Sequence, residues 1–421
     1  MSDVMEPVEV FRARAKAWLK DNMPLAKDAP PRRMDEPAGP HFQRCRELQG
    51  MLWKGGFAGI CWPKEYGGLG LSMDHLRAFN EEAAEYELPL SLNVPTFGIL
   101  GATIVEHGSH EQKQKYIPQI LNGDHQWVQF LSEPSGGSDL AGVLTRADRD
   151  GDTFVINGSK IWSSFAEISD YCMVLARTNW DVPKHRGLTM FIVKIHQPGI
   201  QIEPIRMTYG SAEFCQEFFT DVVVSIEDVV GNVDEGWAVA SSLLLQERIS
   251  LGGASKYTVG SGINREAAGT DYSLLKLARQ LGQDDDPITR QAIADYHATA
   301  HAHHIMSDRV TRGMAKGAMP PSAGSLLKLA HAITVERHSQ LAVEIGGSAI
   351  AVGGDNRNDA RDMGNRTLTR QGIALGGGSN EIQRNIISER VLGMPREWAG
   401  DADIPYRDVR RSGGGPTAPK Q

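Results

Sequence analysis

The chain opens with apolar residues at three- and four-residue steps: Val8, Phe11, Ala15 and Trp18. That spacing lays one apolar stripe along a helix. Proline and charge then crowd Asp21 to Pro40, which predicts a loop. Phe42, Cys45, Leu48, Met51 and Leu52 restart the helical period. Glu111 to Leu121 predicts another helix, stopped by Asn122 and Gly123.

The pattern changes near Trp127. Thr153 to Ile156, Asn157-Gly158 and Ser159 to Trp162 read as strand, turn and strand, because both turn residues tolerate positive φ. Further strands are expected at Tyr171–Ala176, Leu188–Lys194, Gln201–Ile205 and Phe218–Ser225. From Gly236 the helical period returns, with Trp237, Ala240, Leu244 and Arg248 on one stripe. Asp286-Pro287 opens a second helix of this region, and Ser325 to Ile345 forms a third. Gly346-Gly347 and Gly353-Gly354 break the pattern. Asn380 to Val391 is a last helix, with Asn380 as cap and Gln383 three residues on. The order predicts an α+β fold, mostly α. Its parts are an N-terminal helical domain over 1–127, a middle β-barrel or sandwich domain over 128–235, and a C-terminal helical domain over 236–397. A disordered tail is expected over 398–421.

Composition narrows the function. Hydrophobic residues make up 41% of the 421 and charged residues 23%, an ordinary globular balance. The net charge of −8 argues against a nucleic-acid partner. The four cysteines, Cys45, Cys61, Cys172 and Cys215, match no zinc or redox spacing, so they read as thiols in a reducing compartment. The acidic start carries no signal-peptide or transit-peptide pattern, and no apolar run reaches membrane-spanning length. The expectation is a cytoplasmic protein. His297, His301, His303 and His304 cluster on one helix but lack the intervening Glu of a metalloprotease pair, so no metal site is expected.

Two segments carry chemistry. Leu131-Ser-Glu-Pro-Ser-Gly-Gly-Ser-Asp139 holds adjacent glycines that can turn backbone N–H groups toward an anion. Ile161-Trp162-Ser163-Ser164 ends a strand with a large planar aromatic and two hydroxyls, which suits a planar cofactor. Each alone also fits a plain turn or ordinary core.

Together, SEPSGGSD and NGSKIWSS resemble the acyl-CoA dehydrogenase family at the family's own spacing. Trp62-Pro-Lys-Glu-Tyr-Gly-Gly-Leu-Gly70, Gly108 to Pro118 and Gly376-Gly-Gly-Ser-Asn-Glu-Ile-Gln-Arg384 extend the resemblance over roughly residues 40 to 396. The resemblance implies a helical domain, a β-domain and a C-terminal four-helix bundle, with FAD between the last two. It implies a flavoprotein of lipid metabolism that removes hydrogens from the α and β carbons of an acyl-CoA. Leu131, Ser132, Gly137, Ser138, Trp162, Ser164, Ser379 and Glu381 would contact the cofactor. Ser138, Arg248 and Gly377 would contact substrate, Gly377 by donating its N–H to the thioester oxygen. An electron-transfer flavoprotein would be the acceptor, and the active form a homotetramer or a heterotetramer with a related chain.

The sequence departs from the family pattern at the catalytic base. Many members place it in a C-terminal Y-E-G-T segment, where this chain has Gly376-Gly377-Gly378-Ser379. A minority carries it on the first helix of the bundle, before an arginine. Leu243-Leu-Leu-Gln-Glu-Arg248 puts Glu247 there. Taken alone, Glu247 and Arg248 also fit a solvated ion pair on a helix face. The family's R-x-x-F-G adenine segment is reduced here to Arg279. Two other readings stay open: a flavin oxidase or monooxygenase on the same scaffold, and a non-catalytic subunit completing a partner's site. The glycine run at 376–378 leaves room for a bulky or branched acyl group.

Overall fold

Helix α1 (Val8–Asn22) buries Phe11, Ala15 and Leu19, one residue every four, against α3 (Met73–Glu82). This is a computed structural model, and it describes residues 5–30, 37–251, 253–260, 272–352 and 359–409. The chain divides into two compact units, Met1–Ser261 with Glu397–Gln421, and Gly262–Arg396. In the first, α2 (Ala38–Lys54) buries Phe42, Cys45, Leu48 and Leu52. Helix α4 (Leu90–Asn93) widens into a π-helical stretch, Val94–Gly101, before α5 (Ala102–His107). Pro95 lacks an N–H and cannot make the ordinary helical bond, a known cause of irregular turns. Helix α6 (His110–Leu121) starts at Ser109, whose hydroxyl accepts from the Gln112 N–H in a reciprocal capping box.

The β-domain is an eight-stranded sheet in the order β6-β7-β3-β2-β4-β5-β8, with β1 paired to β4. Its strands are β1 (Trp127–Phe130), β2 (Arg146–Asp150), β3 (Thr153–Ser164), β4 (Tyr171–Arg177), β5 (Leu188–Lys194), β6 (Ile200–Ile205), β7 (Phe214–Ser225) and β8 (Val229–Val230). Strands β4 and β5 are apolar almost throughout because both faces are covered. Met173, Leu175, Met190 and Ile192 enter a core shared with Trp62, Phe97, Ile117 and Leu243. Cys172, Val174, Phe191 and Val193 enter a second core with Phe130, Phe154 and Ile156. The sheet therefore separates the helices from an interior of its own.

Asn157-Gly158 is not the expected turn. Strand β3 runs unbroken through it, and the pairing with β7 shifts register between Ile156 and Gly158. Asn157 keeps a negative φ, so the two-residue turn that needs both residues positive does not form. Asn157 instead donates through Nδ2 to Asp221 Oδ1 (3.0 Å) and accepts from the Asp221 N–H (3.0 Å). Gly158 sits at φ +151°, where a Cβ would meet Thr145 Oγ1 at 2.6 Å. The bulge belongs to β7, where Thr220 and Asp221 (φ +50°) oppose Asn157 alone, and the reversal into β3 lies at Gly151 and Asp152, between β2 and β3. Strands β1 and β2 did not stand out in the sequence pattern.

Helix α7 (Gly236–Leu251) packs within the first unit, on β5, α5 and the π-helical stretch. The second unit holds α8 (Ser273–Gln280), α9 (Pro287–Ala315), α10 (Gly324–Gly346), α11 (Ser348–Val352), α12 (Asp359–Leu375) and α13 (Asn380–Ile386). Leu274, Leu277, Tyr296, Leu341, Ile345 and Met363 form its core. Asp286 caps α9, its carboxylate accepting from the Thr289 N–H (2.7 Å). Ser379, not Asn380, caps α13, accepting from the Ile382 N–H (3.3 Å). Gly346-Gly347 ends α10 as expected; Gly353-Gly354 lies outside the described residues.

The chain then returns to the first unit. Tyr406 is buried, and its N–H donates to Val182 O (2.9 Å). Residues 398–409 thus differ from the disordered tail expected of them, because an aromatic ring finds a place in the β-domain. The remainder of that tail, 410–421, lies outside the described residues. Among the described residues no helix is long and apolar enough to cross a membrane.

Candidate active site

Strand β1 delivers Leu131 and Ser132 to the loop that follows. Leu131 is buried, and its carbonyl accepts from Lys160 Nζ (3.0 Å). The Ser132 carbonyl accepts from the Ile161 N–H (2.9 Å), which seats the segment beside β3. Gly136, Gly137 and Ser138 are exposed on the loop. A Cβ at Gly137 would come 3.3 Å from Ser132 Oγ.

Glu133 anchors this loop, a role the sequence reading gave it no part in. Its carboxylate accepts from the Leu144 N–H (2.6 Å), the Thr145 N–H (2.8 Å) and Lys160 Nζ (2.9 Å). Burial pushes the Glu133 carboxyl up, but Lys160 and Thr145 more than offset this and leave it below the usual range. Lys160 is fully buried, and desolvation lowers its pKa despite Glu133. Across the ladder Lys160 pairs with Glu217 of β7. Desolvation pushes Glu217 up to about 8, while Ser163 Oγ donates to it (3.0 Å). A strand signal was present: Cys215, Glu217 and Phe219 share one parity of β7 and are all buried.

A second register shift, between Ile161 and Ser163, isolates Trp162. It adopts φ +67°, a strained conformation for a bulky residue, and its indole is 53% exposed beside the edge of Phe214. Ser163 points inward and Ser164 outward. The bulge therefore turns a broad apolar face outward next to the Ser132 backbone.

Glu247 lies on the buried stripe of α7, which runs through Gly236, Ala240, Leu243 and Ser250. It is half-buried, and its Oε2 accepts from Gln129 Nε2 of β1 (3.2 Å). Arg248 turns back along its own helix, with Nε donating to Leu244 O (3.0 Å).

In the second unit, Gly377 and Gly378 adopt φ +68° and +92° in the turn before α13. Their carbonyls accept from Gln383 Nε2 (2.9 and 3.2 Å). Ser379 is buried as the cap; Glu381 is exposed in the first turn, where backbone N–H groups and Ser379 lower its pKa. Arg279 faces Asp284 at 3.8 Å. The histidines of α9 make ring contacts: His297 stacks on Tyr272 and His303 faces His331.

One further cluster supports the loop. Arg177 is buried and donates to the carbonyls of Ala141 (2.5 Å), Val143 (3.2 Å) and Lys184 (3.1 Å). Desolvation brings its pKa down to about 10. Tyr406 covers the guanidinium at 3.7 Å and donates through its hydroxyl to Gly142 O. Lys184 joins Asp139 to Asp401 (3.1 Å each).

Family comparison matches the whole architecture. The acyl-CoA dehydrogenase N-terminal domain matches residues 7–124, the middle domain 129–222 and the C-terminal domain 234–392. The chain is 37% identical to acyl-CoA dehydrogenase IpdE1 of Mycobacterium tuberculosis, over 94% of this chain and 100% of that one. It is 28% identical to a mitochondrial isovaleryl-CoA dehydrogenase of Solanum tuberosum, over 81% and 82% of the two chains. Among solved structures, the Tcur3481-Tcur3483 steroid ACAD superposes with a TM-score of 0.74 at 30% identity, covering 94% of this chain and 100% of that one. The chain belongs to the acyl-CoA dehydrogenase family of FAD-dependent oxidoreductases acting on CH–CH bonds.

Proposed function

We propose that this chain dehydrogenates a bulky, branched or ring-bearing acyl-CoA, with Glu247 taking the α-proton. The observation that carries this reading is the place of Glu247: on the buried stripe of α7, its carboxylate held by Gln129. A solvated ion pair would sit on the opposite face. Gly377 has no side chain and cannot supply a base; its role is an N–H toward the thioester oxygen, where enolate charge develops. Arg248 serves on the substrate side.

The residues of the first unit fit a flavin. Trp162 is held out of the sheet by the bulge, with its indole half in solvent. Leu131 and Ser132 lie alongside it through the Ile161 bond, and the exposed Gly137 and Ser138 offer N–H groups and a hydroxyl. Ser164 faces the same solvent side. For the second unit, Ser379 and Glu381 are assigned to the cofactor by motif alone. The chemistry FAD supplies when bound is acceptance of the β-hydride. The electron acceptor is an electron-transfer flavoprotein.

A bulky acyl group is supported by the glycine run at 376–378 and by likeness to a protein described as a steroid ACAD. That structure names two chains, which favours assembly of this chain with a related one over a lone monomer. The domain limits proposed are 1–127, 128–235 and 236–397.

Anaerobic bleaching of the yellow protein by butyryl-, isovaleryl- and 3-cyclohexylpropionyl-CoA tests the reading. Bulky thioesters are expected to bleach it fastest. Glu247→Gln is expected to keep the flavin and lose turnover by about a thousandfold. Turnover near wild type in that variant would remove Glu247 from the role, and a colourless protein would favour a non-catalytic subunit.

A further inference from the structure

Gln129 is the one polar residue among Trp127, Val128, Gln129 and Phe130 of β1. Alternation along the strand sends Trp127 and Leu131 into the core that α7 closes, so Gln129 points the same way. Leu243 of α7 enters that core, and Glu247 follows one turn later on the same stripe. The two polar groups meet there, Gln129 Nε2 at 3.2 Å from Glu247 Oε2. The other amide atom, Gln129 Oε1, is buried and has no hydrogen-bond partner. A buried amide with an orphaned carbonyl is costly, and packing alone would favour Leu at this position.

We propose that Gln129 is a positioning residue for Glu247. It donates to the carboxylate, fixes its rotamer and favours the ionised form in which Glu247 accepts the α-proton. This rests on the reading of Glu247 as the base. A hydrogen bond to a carboxylate lowers its pKa, so loss of the donor raises it. Among the described residues, the other ionisable groups on α7 and the elements packed against it are Arg248, Glu235 at the helix start, Glu106 and His107 of α5, and Lys194 of β5. Glu106 accepts from Ser242 (2.5 Å) and Gln246 (3.4 Å) rather than facing Gln129.

The test uses the full FAD-loaded chain and Gln129→Leu, with Gln129→Met as the second variant should the first lose its flavin. Infrared difference titration follows the carboxyl band that disappears in Glu247→Gln. Its midpoint is expected about one pH unit higher without the amide. With 3-cyclohexylpropionyl-CoA as the probe and ferrocenium as acceptor, the acid limb of kcat/KM moves the same way. The kcat falls roughly 10–100-fold while KM stays within about twofold, because orientation and not binding is lost. An unshifted midpoint with wild-type kcat overturns the proposal. If Glu247→Gln is inactive and the midpoint does not move, only the role of Gln129 falls. If Glu247→Gln turns over normally, the base assignment fails and this proposal falls with it.

Discussion

Lys160 and Glu133 form a buried ion pair, 2.9 Å between Nζ and Oε1, with side chains 0% and 4% exposed. The pair joins the middle of β3 to the loop that carries Gly137 and Ser138. Each partner also binds backbone, Lys160 to Leu131 O and Glu133 to the N–H groups of Leu144 and Thr145. The loop's conformation is thereby fixed from beneath by charge.

Removing one partner leaves the other charged and unpaired. Lys160→Met is expected to destabilise the protein by about 3–5 kcal/mol. The double variant Lys160→Met, Glu133→Leu is expected to lose less than the sum of the two single changes, since no lone charge remains. Urea unfolding of the four proteins measures the cycle. Strict additivity would show that the two side chains do not act as a pair.

Glu217 gives the opposite sign of pH dependence from an ordinary salt-bridged carboxylate. Its folded pKa is raised to about 8 by desolvation, above the usual carboxylate value. Below the unfolded pKa both states are protonated and Glu217 costs nothing. Between there and about 8 only the unfolded state ionises, so stability falls as pH rises. Glu217→Gln, which keeps the neutral shape, is expected to be more stable than wild type at pH ~8 by about 1–3 kcal/mol and similar at pH ~5. Thermal unfolding at the two values tests this; an advantage at low pH instead would reverse the assignment.

Much of this was legible in the sequence, and the gaps have physical causes. The helices appeared because Phe11 and Ala15, or Phe42, Cys45 and Leu48, repeat at helical spacing, although the stripe of α1 continues through Leu19 and not the expected Trp18. The motif around Ser132 and Trp162 singled out the loop after β1, but the sequence reading gave Glu133 and Lys160 no part. The parity of β3, with Phe154 and Ile156 inward alongside Lys160, marks the lysine as buried, while Glu133 sits in a loop and has no such mark. Asn157-Gly158 misled because Asn157 stays extended and binds Asp221 in a bulge of β7, so the left-handed residue lies across the ladder. Gln129 left no signal, since its meaning depends on Glu247, 118 positions away.

Tyr406 ties the C-terminal segment to the turn at Leu140–Gly142 through Arg177 and Gly142. Tyr406→Phe loses only the hydroxyl bond and is expected to cost about 1 kcal/mol. Tyr406→Ala also uncovers the Arg177 guanidinium and is expected to cost about 3–5 kcal/mol. Limited proteolysis between residues 139 and 145 should accelerate in the Ala variant alone. Equal cleavage in all three proteins would show that the loop holds its shape without the ring.

The turn at Gly377 argues that a base cannot simply be returned to the position where many relatives carry it. Gly377 adopts φ +68° and Gly378 +92°, a left-handed pair that glycine enters freely and other residues enter at a cost. Gln383 Nε2 locks this geometry by donating to both carbonyls. Gly377→Glu is therefore expected to destabilise the protein by about 1–2 kcal/mol. If Glu247 is the base as proposed, it should also fail to restore turnover to Glu247→Gln, because the strained turn does not present the new carboxylate in a fixed direction. Turnover of the double variant with isovaleryl- and 3-cyclohexylpropionyl-CoA measures this. Recovery to within about tenfold of wild type would show that the glycine turn relaxes readily, and that the base is interchangeable between the two positions.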